Sequence, residues 1–280
     1  MHSRPPKPGK LLRKYCDIQR NDLNMQIATW NVNSLKVRLP QVIDWLKSSN
    51  CDILAIQELK LDNPHFPTET FKELGYYCAF NGQKTYNGVA IISKHEISDV
   101  HYDLPDYDDH QKRALAATVN GVRVICVYVV NGEAVGSDKF NYKMEWLDKL
   151  HVFIDNSLKQ HPKLALLGDF NIAPSDIDVC EPQFWYEKIL CSTPERQHWQ
   201  NLIALGLHDS FRLFNQQGGQ YTWWDYRNFA FRRKIGLRID HILISEQLKQ
   251  QAIACEIDIM PRKNERPSDH TPVILHLNNS

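Results

Sequence analysis

The sequence predicts one α/β domain whose sheets are not purely parallel. Short apolar runs of the kind that form buried strands recur along the chain. Stretches with the spacing of amphipathic helices lie between several of these runs. Two of the predicted strands are joined by Asn120-Gly121, a strong hairpin signal, and a hairpin adds antiparallel pairing. Helices mixed with hairpins and buried strands indicate an α/β domain with mixed sheets.

The first elements follow from apolar periodicity. Residues 26–30 form an apolar run that predicts a strand. A helix is predicted next, because four apolar residues fall at the i, i+3, i+4, i+7 spacing of one helix face: Leu39, Val42, Ile43 and Leu46. Two further apolar runs predict strands at 52–56 and 88–93.

The second half continues the same alternation. The predicted hairpin consists of strands 114–119 and 122–128. A long amphipathic helix is predicted from five apolar positions: Phe140, Met144, Leu147, Leu150 (or His151) and Ile154. A strand at 164–167 follows, and then a helix at about 195–205, which Gly206 ends as its C′ residue. Apolar runs at 242–244 and 273–275 predict the last strands.

The totals exclude several classes of protein. The 280 residues carry no formal net charge, so any contact with nucleic acid must come from a local basic patch. The seven cysteines are scattered and form no Cys-x-x-Cys pair, which argues against a disulfide framework or a structural zinc site. We therefore expect a protein of the reducing cytoplasm. No apolar run approaches the roughly 18–20 residues needed to span a bilayer, so no membrane contact is expected.

Residues 1–24 differ in composition from the rest of the chain. They interleave prolines with six cations: Arg4, Lys7, Lys10, Arg13, Lys14 and Arg20. We interpret this stretch as a basic, solvated N-terminal extension, the alternative being a segment that touches an anionic partner. Residues 25–280 then form the single folded domain.

Polar side chains stand at five apparent strand ends. These residues are Asn31 with Asn33, Glu58, Asp169 with Asn171, Asp240, and Asp269 with His270. Ligands of open sheets lie beyond strand ends, where side chains from separate strands converge. Oxygen ligands of this kind suit Mg²⁺ or Mn²⁺. The sequence therefore predicts a metal-dependent site built from several strands.

Five motifs then resemble one known family. They are Trp30-Asn31-Val32-Asn33, Ile56-Gln57-Glu58, Gly168-Asp169-Phe170-Asn171, Gly236-Leu237-Arg238-Ile239-Asp240 and Ser268-Asp269-His270. Their order and spacing resemble the endonuclease/exonuclease/phosphatase superfamily. Residues 221–227, Tyr-Thr-Trp-Trp-Asp-Tyr-Arg, are similar to the exonuclease III branch of DNA-repair nucleases. The resemblance covers Met25 to about Leu277.

The resemblance implies a fold and an activity. The fold would be a four-layer α/β sandwich, with two mixed β-sheets packed face to face and helices outside. The activity would be that of a Mg²⁺-dependent DNA phosphodiesterase of base-excision repair, with Mn²⁺ able to substitute. Its substrate would be double-stranded DNA with damaged or 3′-blocked ends, trimmed as a 3′–5′ exonuclease or 3′-phosphatase, and abasic-site incision is left open. We expect a monomer.

The resemblance also assigns roles by motif position. Four residues would hold the metal, with Glu58 as the principal ligand: Glu58, Asn31, Asn33 and Asp269. Asp169 resembles the acid that handles the attacking water or the leaving oxygen, and Asn171 the amide that holds a phosphate oxygen. His270 with Asp240 resembles a pair that stabilises charge at phosphorus, and Tyr128 a phosphate-contacting tyrosine. Whether Asp169 or His270 is the general base stays open.

One segment supplies the local basic patch that a neutral chain requires. Its aromatic and cationic side chains alternate over residues 221–238, a pattern of nucleic-acid binding. The candidate DNA-binding residues are Trp223, Trp224, Tyr226, Arg232, Arg233, Lys234 and Arg238. The alternatives are aromatic residues in the core and a solvated run of charges.

The sequence departs from the family pattern at two places. Asn33 stands where some relatives carry Asp, which would leave the metal more dependent on Glu58. Leu190 is bulky where members that cut at abasic sites carry a small residue, so it would narrow the sugar pocket and favour trimming of 3′ ends.

Three other classes of function remain. A phosphatase of the same superfamily, acting on another phosphoester, would keep the metal site without the segment 221–238. A non-catalytic nucleic-acid-binding regulator of the same fold would lack the metal acid, whereas Glu58, Asp169, Asp269 and His270 are all present. A structural protein would need none of them.

Overall fold

Two six-stranded sheets form the centre of the computed structural model, which describes residues 24–278. The strands in this range are β1 (Asn24–Asn31), β2 (Ile53–Gln57), β3 (Tyr77–Asn81), β4 (Val89–Ser93), β5 (Ile97–Tyr102), β6 (Ala114–Val119), β7 (Val122–Tyr128), β8 (Leu164–Asp169), β9 (Leu207–Asp209), β10 (Asp240–Ser245), β11 (Ala252–Ile257) and β12 (Val273–Asn278). Sheet 1 has the order β11-β12-β1-β2-β4-β3, and sheet 2 the order β5-β6-β7-β8-β10-β9. Both contain parallel and antiparallel pairs.

Helices flank the two sheets. They are α1 (Leu35–Ser49), α2 (Thr68–Glu73), α3 (Asp138–Gln160), α4 (Pro182–Trp185), α5 (Thr193–Ala204), α6 (Ser210–Phe214), α7 (Ala230–Arg233) and α8 (Glu246–Lys249). The long helix α3 starts at a favourable N-cap, because the Ser137 side chain accepts a hydrogen bond from Phe140 N at 3.1 Å.

Three apolar clusters account for the layers. The inner cluster joins the facing sides of the two sheets, for example Ile27 with Leu167. A second cluster packs the outer side of sheet 2 against α3 and α5, with Trp146 and Trp199 at its centre. A third packs the outer side of sheet 1 against α1 and α2. The predicted four-layer sandwich with mixed sheets is therefore confirmed.

Most of the predicted elements are present. The hairpin β6–β7 pairs Val119 with Val122, and its two turn residues have the positive φ of a type I′ turn, 47° at Asn120 and 76° at Gly121. Helix α5 ends before Gly206, whose φ is 94°. The strands β3, β5, β9 and β11 were not predicted. β5 is an edge strand with no buried residue, so it carries little apolar signal.

The topology brings strand ends of both sheets together. β1 and β2 are parallel and finish side by side, with Asn31 opposite Gln57. β7 and β8 are also parallel, with Tyr128 opposite Asp169. Asp240 and the Asp269-His270 pair differ from the other site residues, because they stand at or before the start of β10 and β12. Both strands are antiparallel to their neighbours, so their beginnings reach the same edge.

Two expectations concern the ends of the chain and the membrane. The predicted basic extension, residues 1–24, lies outside the described residues apart from Asn24, the first residue of β1. None of the helices between residues 24 and 278 has the length and apolar character that a membrane crossing requires.

Candidate active site

Inward-facing positions of the strands lead directly to the candidate site. Alternate residues of a strand face the same side, so Asn31 shares the face of Ile27, and Asp169 that of Leu167. Asp240 likewise shares the face of Ile242 on β10. The polar side chains therefore continue the apolar inner faces to the edge where the strands end.

An acidic cluster with one histidine lies at this edge. Glu58, Asp169 and His270 each place a potential ligand atom within 4.8 Å of the others. Asn31 Nδ2 lies between the two acids and donates to Glu58 Oε1 at 2.8 Å and to Asp169 Oδ2 at 2.9 Å. The amide thus holds two carboxylates close together although they come from different sheets.

A second group of hydrogen bonds surrounds Asp269. Its Oδ1 accepts from Asn33 Nδ2 at 2.9 Å, and its Oδ2 accepts from Trp223 Nε1 at 3.0 Å. Lys60 Nζ donates to Asn33 Oδ1 at 2.6 Å and lies 2.9 Å from Glu58 Oε2. Lys60 was not predicted as a site residue. Its position two residues after Glu58 could have indicated that it lies near the site. The structure brings the four predicted metal residues together, with the two asparagine side chains donating to carboxylates.

His270 lies between two carboxylates. Its Nδ1 is 2.8 Å from Asp240 Oδ2, and its Nε2 is 3.7 Å from Asp169 Oδ2. Burial by itself would lower the pKa of His270, but the negative charges of Asp240 and Asp169 outweigh burial and raise that pKa to about 10. The imidazole is therefore cationic at neutral pH.

Two further groups have perturbed pKa values. Burial raises the pKa of Asp169 well above its usual range, with Asp240 adding to this effect and the His270 charge opposing it. Burial and the charge of Glu58 raise the pKa of the Tyr128 hydroxyl, which therefore stays a hydrogen-bond donor. The Arg113 guanidinium lies 4.8 Å from the centroid of the Tyr128 ring.

Several site residues have left-handed backbone conformations. The φ angle is 43° at Asn33, 55° at Glu58, 49° at Asn171 and 73° at Leu190. Asn adopts this region readily, whereas a residue such as Glu or Leu does so at a cost of roughly 1–2 kcal/mol. Strain of this kind concentrates at functional sites, where the surrounding structure holds it.

The cluster forms the floor of a pocket of about 330 Å³. Five side chains give the pocket apolar walls: Trp185, Ile189, Leu190, Trp223 and Ile239. Leu190 lines it as predicted, and Tyr128 and Asn171 line it too. Six lining residues were not predicted as site residues: Asn131, Trp185, Ile189, Asp225, Arg227 and Ile239. Asp225, Arg227 and Ile239 lie within the quoted motifs 221–227 and 236–240, which were the available signal. The other three belong to no such motif.

Two predicted DNA-binding residues are wrong. Arg238 is only 1% exposed, and its guanidinium pairs with Asp178 at 2.6 Å and Asp209 at 2.7 Å. Trp224 is 5% exposed and packs edge-on against Phe231. Both side chains hold loops together inside the protein and present no surface to a nucleic acid.

Other cationic and aromatic residues of the segment 221–238 are exposed, as a DNA-binding surface requires. Arg232, Arg233 and Lys234 are exposed at the end of α7, and Tyr226 is half exposed. Arg38 Nη2 donates to the Tyr226 hydroxyl at 3.0 Å, while Arg38 Nη1 donates to Asn33 O at 2.6 Å. The segment is thus tied to the loop that carries Asn33. Its binding of DNA stays a prediction.

Comparison with known proteins gives one consistent family. The model of the Endonuclease/Exonuclease/phosphatase family matches residues 28–270. An exodeoxyribonuclease III of Haemophilus influenzae is 33% identical over 262 residues, 89% of this chain and 98% of that protein. A structure of the 3′ phosphatase NExo from Neisseria, bound to product DNA hairpin, is 52% identical with a TM-score of 0.90, covering 91% of this chain and 99% of that chain. The 3′-5′ exonuclease NExo from Neisseria meningitidis is 53% identical with a TM-score of 0.90, covering 91% and 100%.

The chain therefore belongs to the Endonuclease/Exonuclease/phosphatase family. Within that family it falls in the exonuclease III branch, and it is a hydrolase of phosphoester bonds.

Nucleases of this family depend on a divalent metal ion, and the donor set of this site fits one. Glu58 faces the pocket with its side chain 15% exposed, and Asp269 and Asp169 line the same space. Carboxylate oxygens from several directions are what a hard divalent cation takes as ligands. The neighbouring amides and Lys60 hold these carboxylates in place.

The buried Arg238 network yields a test of stability against pH. Burial alone would raise the pKa of Asp178, but Arg238 and Arg212 outweigh burial and lower that pKa to about 2. Because the unfolded value is about 3.9, Asp178 stabilises the fold above about pH 4 and loses this effect as the pH falls toward 2. We expect Asp178→Asn to destabilise the protein at pH 7 by about 3 kcal/mol. Its stability should then depend less on pH between about 4 and 2, as measured by urea unfolding across that range.

The exposed pair of Asp155 with Lys159 supplies the control. Asp155→Asn should change the free energy of unfolding by less than about 1 kcal/mol at any pH. An Asp178→Asn protein with the wild-type pH dependence would contradict the assignment of this ion pair.

Proposed function

We propose that this protein is a Mg²⁺-dependent DNA-repair nuclease that removes phosphates and nucleotides from 3′ ends in duplex DNA. The acid and imidazole cluster of Glu58, Asp169 and His270 carries the proposal, because it lies at the floor of a pocket wide enough for a single sugar phosphate. The 52% identity to the Neisseria 3′ phosphatase NExo supports the choice of 3′ ends.

The proposed roles follow from the geometry. His270 has Nδ1 occupied by Asp240, and its Nε2 faces the pocket as a donor that can stabilise negative charge on a phosphate oxygen. This leaves Asp169, whose Oδ2 lies 3.7 Å from that nitrogen, as the general base that takes the proton of the attacking water. Asn171 and Tyr128 line the same floor, where their amide and hydroxyl groups would donate hydrogen bonds to the phosphate.

Glu58 and Asp269 are the residues we propose to hold the metal, with Asn31 and Asn33 orienting them. A bound Mg²⁺ would offset negative charge on the phosphate and stabilise the leaving oxygen. Mn²⁺, which takes similar oxygen ligands, would substitute.

We further propose a monomer that acts in the cytoplasm. The acids, the histidine and the pocket walls of the candidate site form within one chain, which is compatible with a monomer. The six cysteines in the described part of the chain are free thiols, the state expected in a reducing compartment.

The metal assignment gives the first test of the proposed function. A duplex with a 3′-phosphate should be hydrolysed in Mg²⁺, and EDTA should abolish the activity. Glu58→Gln should lower kcat on the order of 10²-fold or more, because it removes an anionic ligand while keeping the side-chain volume. Release of phosphate at several Mg²⁺ concentrations measures both effects.

Glu69→Gln is the control, because Glu69 lies on the exposed surface of α2. It should keep the wild-type rate and metal dependence. Full activity in excess EDTA, or in Glu58→Gln, would show that the metal assignment is wrong.

Leu190 gives a test of substrate preference. Leu190→Gly should raise abasic-site incision relative to 3′-phosphate removal, since it widens the apolar wall. The loss of a buried side chain destabilises by about 2–5 kcal/mol, partly offset because Gly adopts the positive φ of residue 190 freely. Leu190→Ala should give an intermediate ratio. The measurement is the ratio of abasic-site incision to 3′-phosphate removal on matched labelled duplexes. An unchanged ratio in both variants would show that Leu190 does not determine substrate preference.

The exposed cations of α7 give a test of DNA binding. Arg232→Ala combined with Arg233→Ala should weaken duplex binding and reduce the slope of log K against log salt by about one unit per lost phosphate contact. Hydrolysis of a small phosphodiester should be nearly unchanged. Lys159→Ala with Lys163→Ala, at the opposite end of β8 from Asp169, is the matched control. A wild-type salt slope in the arginine variant would mean that the patch is only a solvated face.

A further inference from the structure

A buried ion pair lies directly behind the pocket. Lys143 of α3 contacts Glu195 of α5 through Nζ and Oε1, and neither side chain is exposed. Desolvating two charges costs several kcal/mol each, and a buried pair is often no better for stability than apolar residues of the same size. Stability alone is therefore a weak explanation for this pair.

The lysine connects two loops of the candidate active site. Lys143 Nζ donates to Asn171 O at 2.7 Å and to Asn131 O at 3.2 Å. The two asparagines are also joined by their side chains, since Asn131 Nδ2 donates to Asn171 Oδ1 at 3.0 Å. One ammonium group thus sets the backbone position of the residues that follow β7 and β8.

The glutamate holds the opposite wall of the pocket. Glu195 Oε1 accepts a hydrogen bond from Leu190 N at 3.0 Å, while Oε2 accepts from Ser192 N at 3.0 Å and Ser192 Oγ at 2.6 Å. The contact from Ser192 N is half of the capping box of α5, whose other half is the Ser192 side chain accepting from Glu195 N, and the box needs no lysine. The Leu190 contact goes beyond capping, because it fixes a residue with a φ of 73°.

We propose that Lys143 and Glu195 are positioning residues that fix Leu190 relative to Asn171 and so set the width of the pocket. This inference rests on the proposed function. The pair joins the phosphate-binding amide to the apolar wall through one continuous chain of hydrogen bonds. A fixed distance between Leu190 and Asn171 leaves room for a 3′-phosphate and excludes the bulkier sugar of an internal abasic site.

The test uses the full chain and two duplex substrates, one with a 3′-phosphate and one with an abasic site. Lys143→Met keeps the length of the side chain and removes its charge and donors. It should lower kcat for the 3′-phosphate on the order of 10²-fold, the effect of a misplacement of about 1 Å. KM should change little, and the ratio of abasic-site incision to 3′-phosphate removal should rise.

Rescue separates positioning from folding. Lys143→Arg keeps donors toward Glu195 and the two carbonyls, so it should recover much of the rate and of the substrate ratio. Glu195→Gln keeps one acceptor oxygen, which can serve Leu190 N or Ser192 N but not both, and it loses the charge. It should therefore change the ratio in the same direction as Lys143→Met. If Lys143→Met fails to fold, the substrate ratio of Glu195→Gln tests the inference.

Arg123→Met is the matched control. Arg123 is another buried cation, with its side chain 3% exposed, and it pairs with Asp99. It lies near the start of β7, whereas Tyr128 at the other end of β7 lines the site. This variant should lose stability without changing the substrate ratio. An unchanged ratio in folded Lys143→Met or Glu195→Gln, or an equal change in Arg123→Met, would overturn the inference. A wild-type protein inactive on both duplexes would instead overturn the proposed function, and this inference with it.

Discussion

The apolar contact between the two sheets is the interaction on which the site geometry depends. Ile27 and Ile53 of sheet 1 pack with Val124, Leu167 and Ile242 of sheet 2, all of them fully buried or nearly so. Each such side chain contributes about 1.5–3 kcal/mol when removed from water. Asn31, Asp169 and Asp240 continue the inward-facing sides of β1, β8 and β10 to the edge where the site lies. A register slip of one of these strands by a single residue would turn its polar side chain to the opposite face and away from the cluster.

The buried charges of the site are arranged so that each faces a partner. Asp240, His270 and Asp169 alternate in sign, and Asn31 then links Asp169 to Glu58. Such an array costs free energy to bury, which the inter-sheet packing offsets. In return the donors are already oriented when a phosphate enters, and preorganised polar groups are the largest single contribution to catalysis in many enzymes.

Continuous apolar runs and Asn120-Gly121 predicted most of the core strands and a mixed α/β domain, because they are strong local signals, whereas the four layers were expected from the family resemblance. It did not predict edge strands such as β5, whose residues are half buried at most. The acids and the histidine were found from their place beside apolar runs and from the family motifs. Arg238 was assigned wrongly, since its partners Asp178 and Asp209 lie 60 and 29 residues away and no local pattern indicates a buried pair. Lys143 had no motif at all.

The position of β12 has a consequence for the timing of folding. This strand, residues 273–278, lies between β11 and β1 in the interior of sheet 1, and its preceding loop supplies His270. β1 is synthesised first of these strands. Its antiparallel partner β12 follows roughly 10–50 s later at ribosomal rates of about 5–20 residues per second. Pairing across so long a separation also closes slowly. A nascent chain therefore lacks the complete candidate site until this strand has left the ribosome.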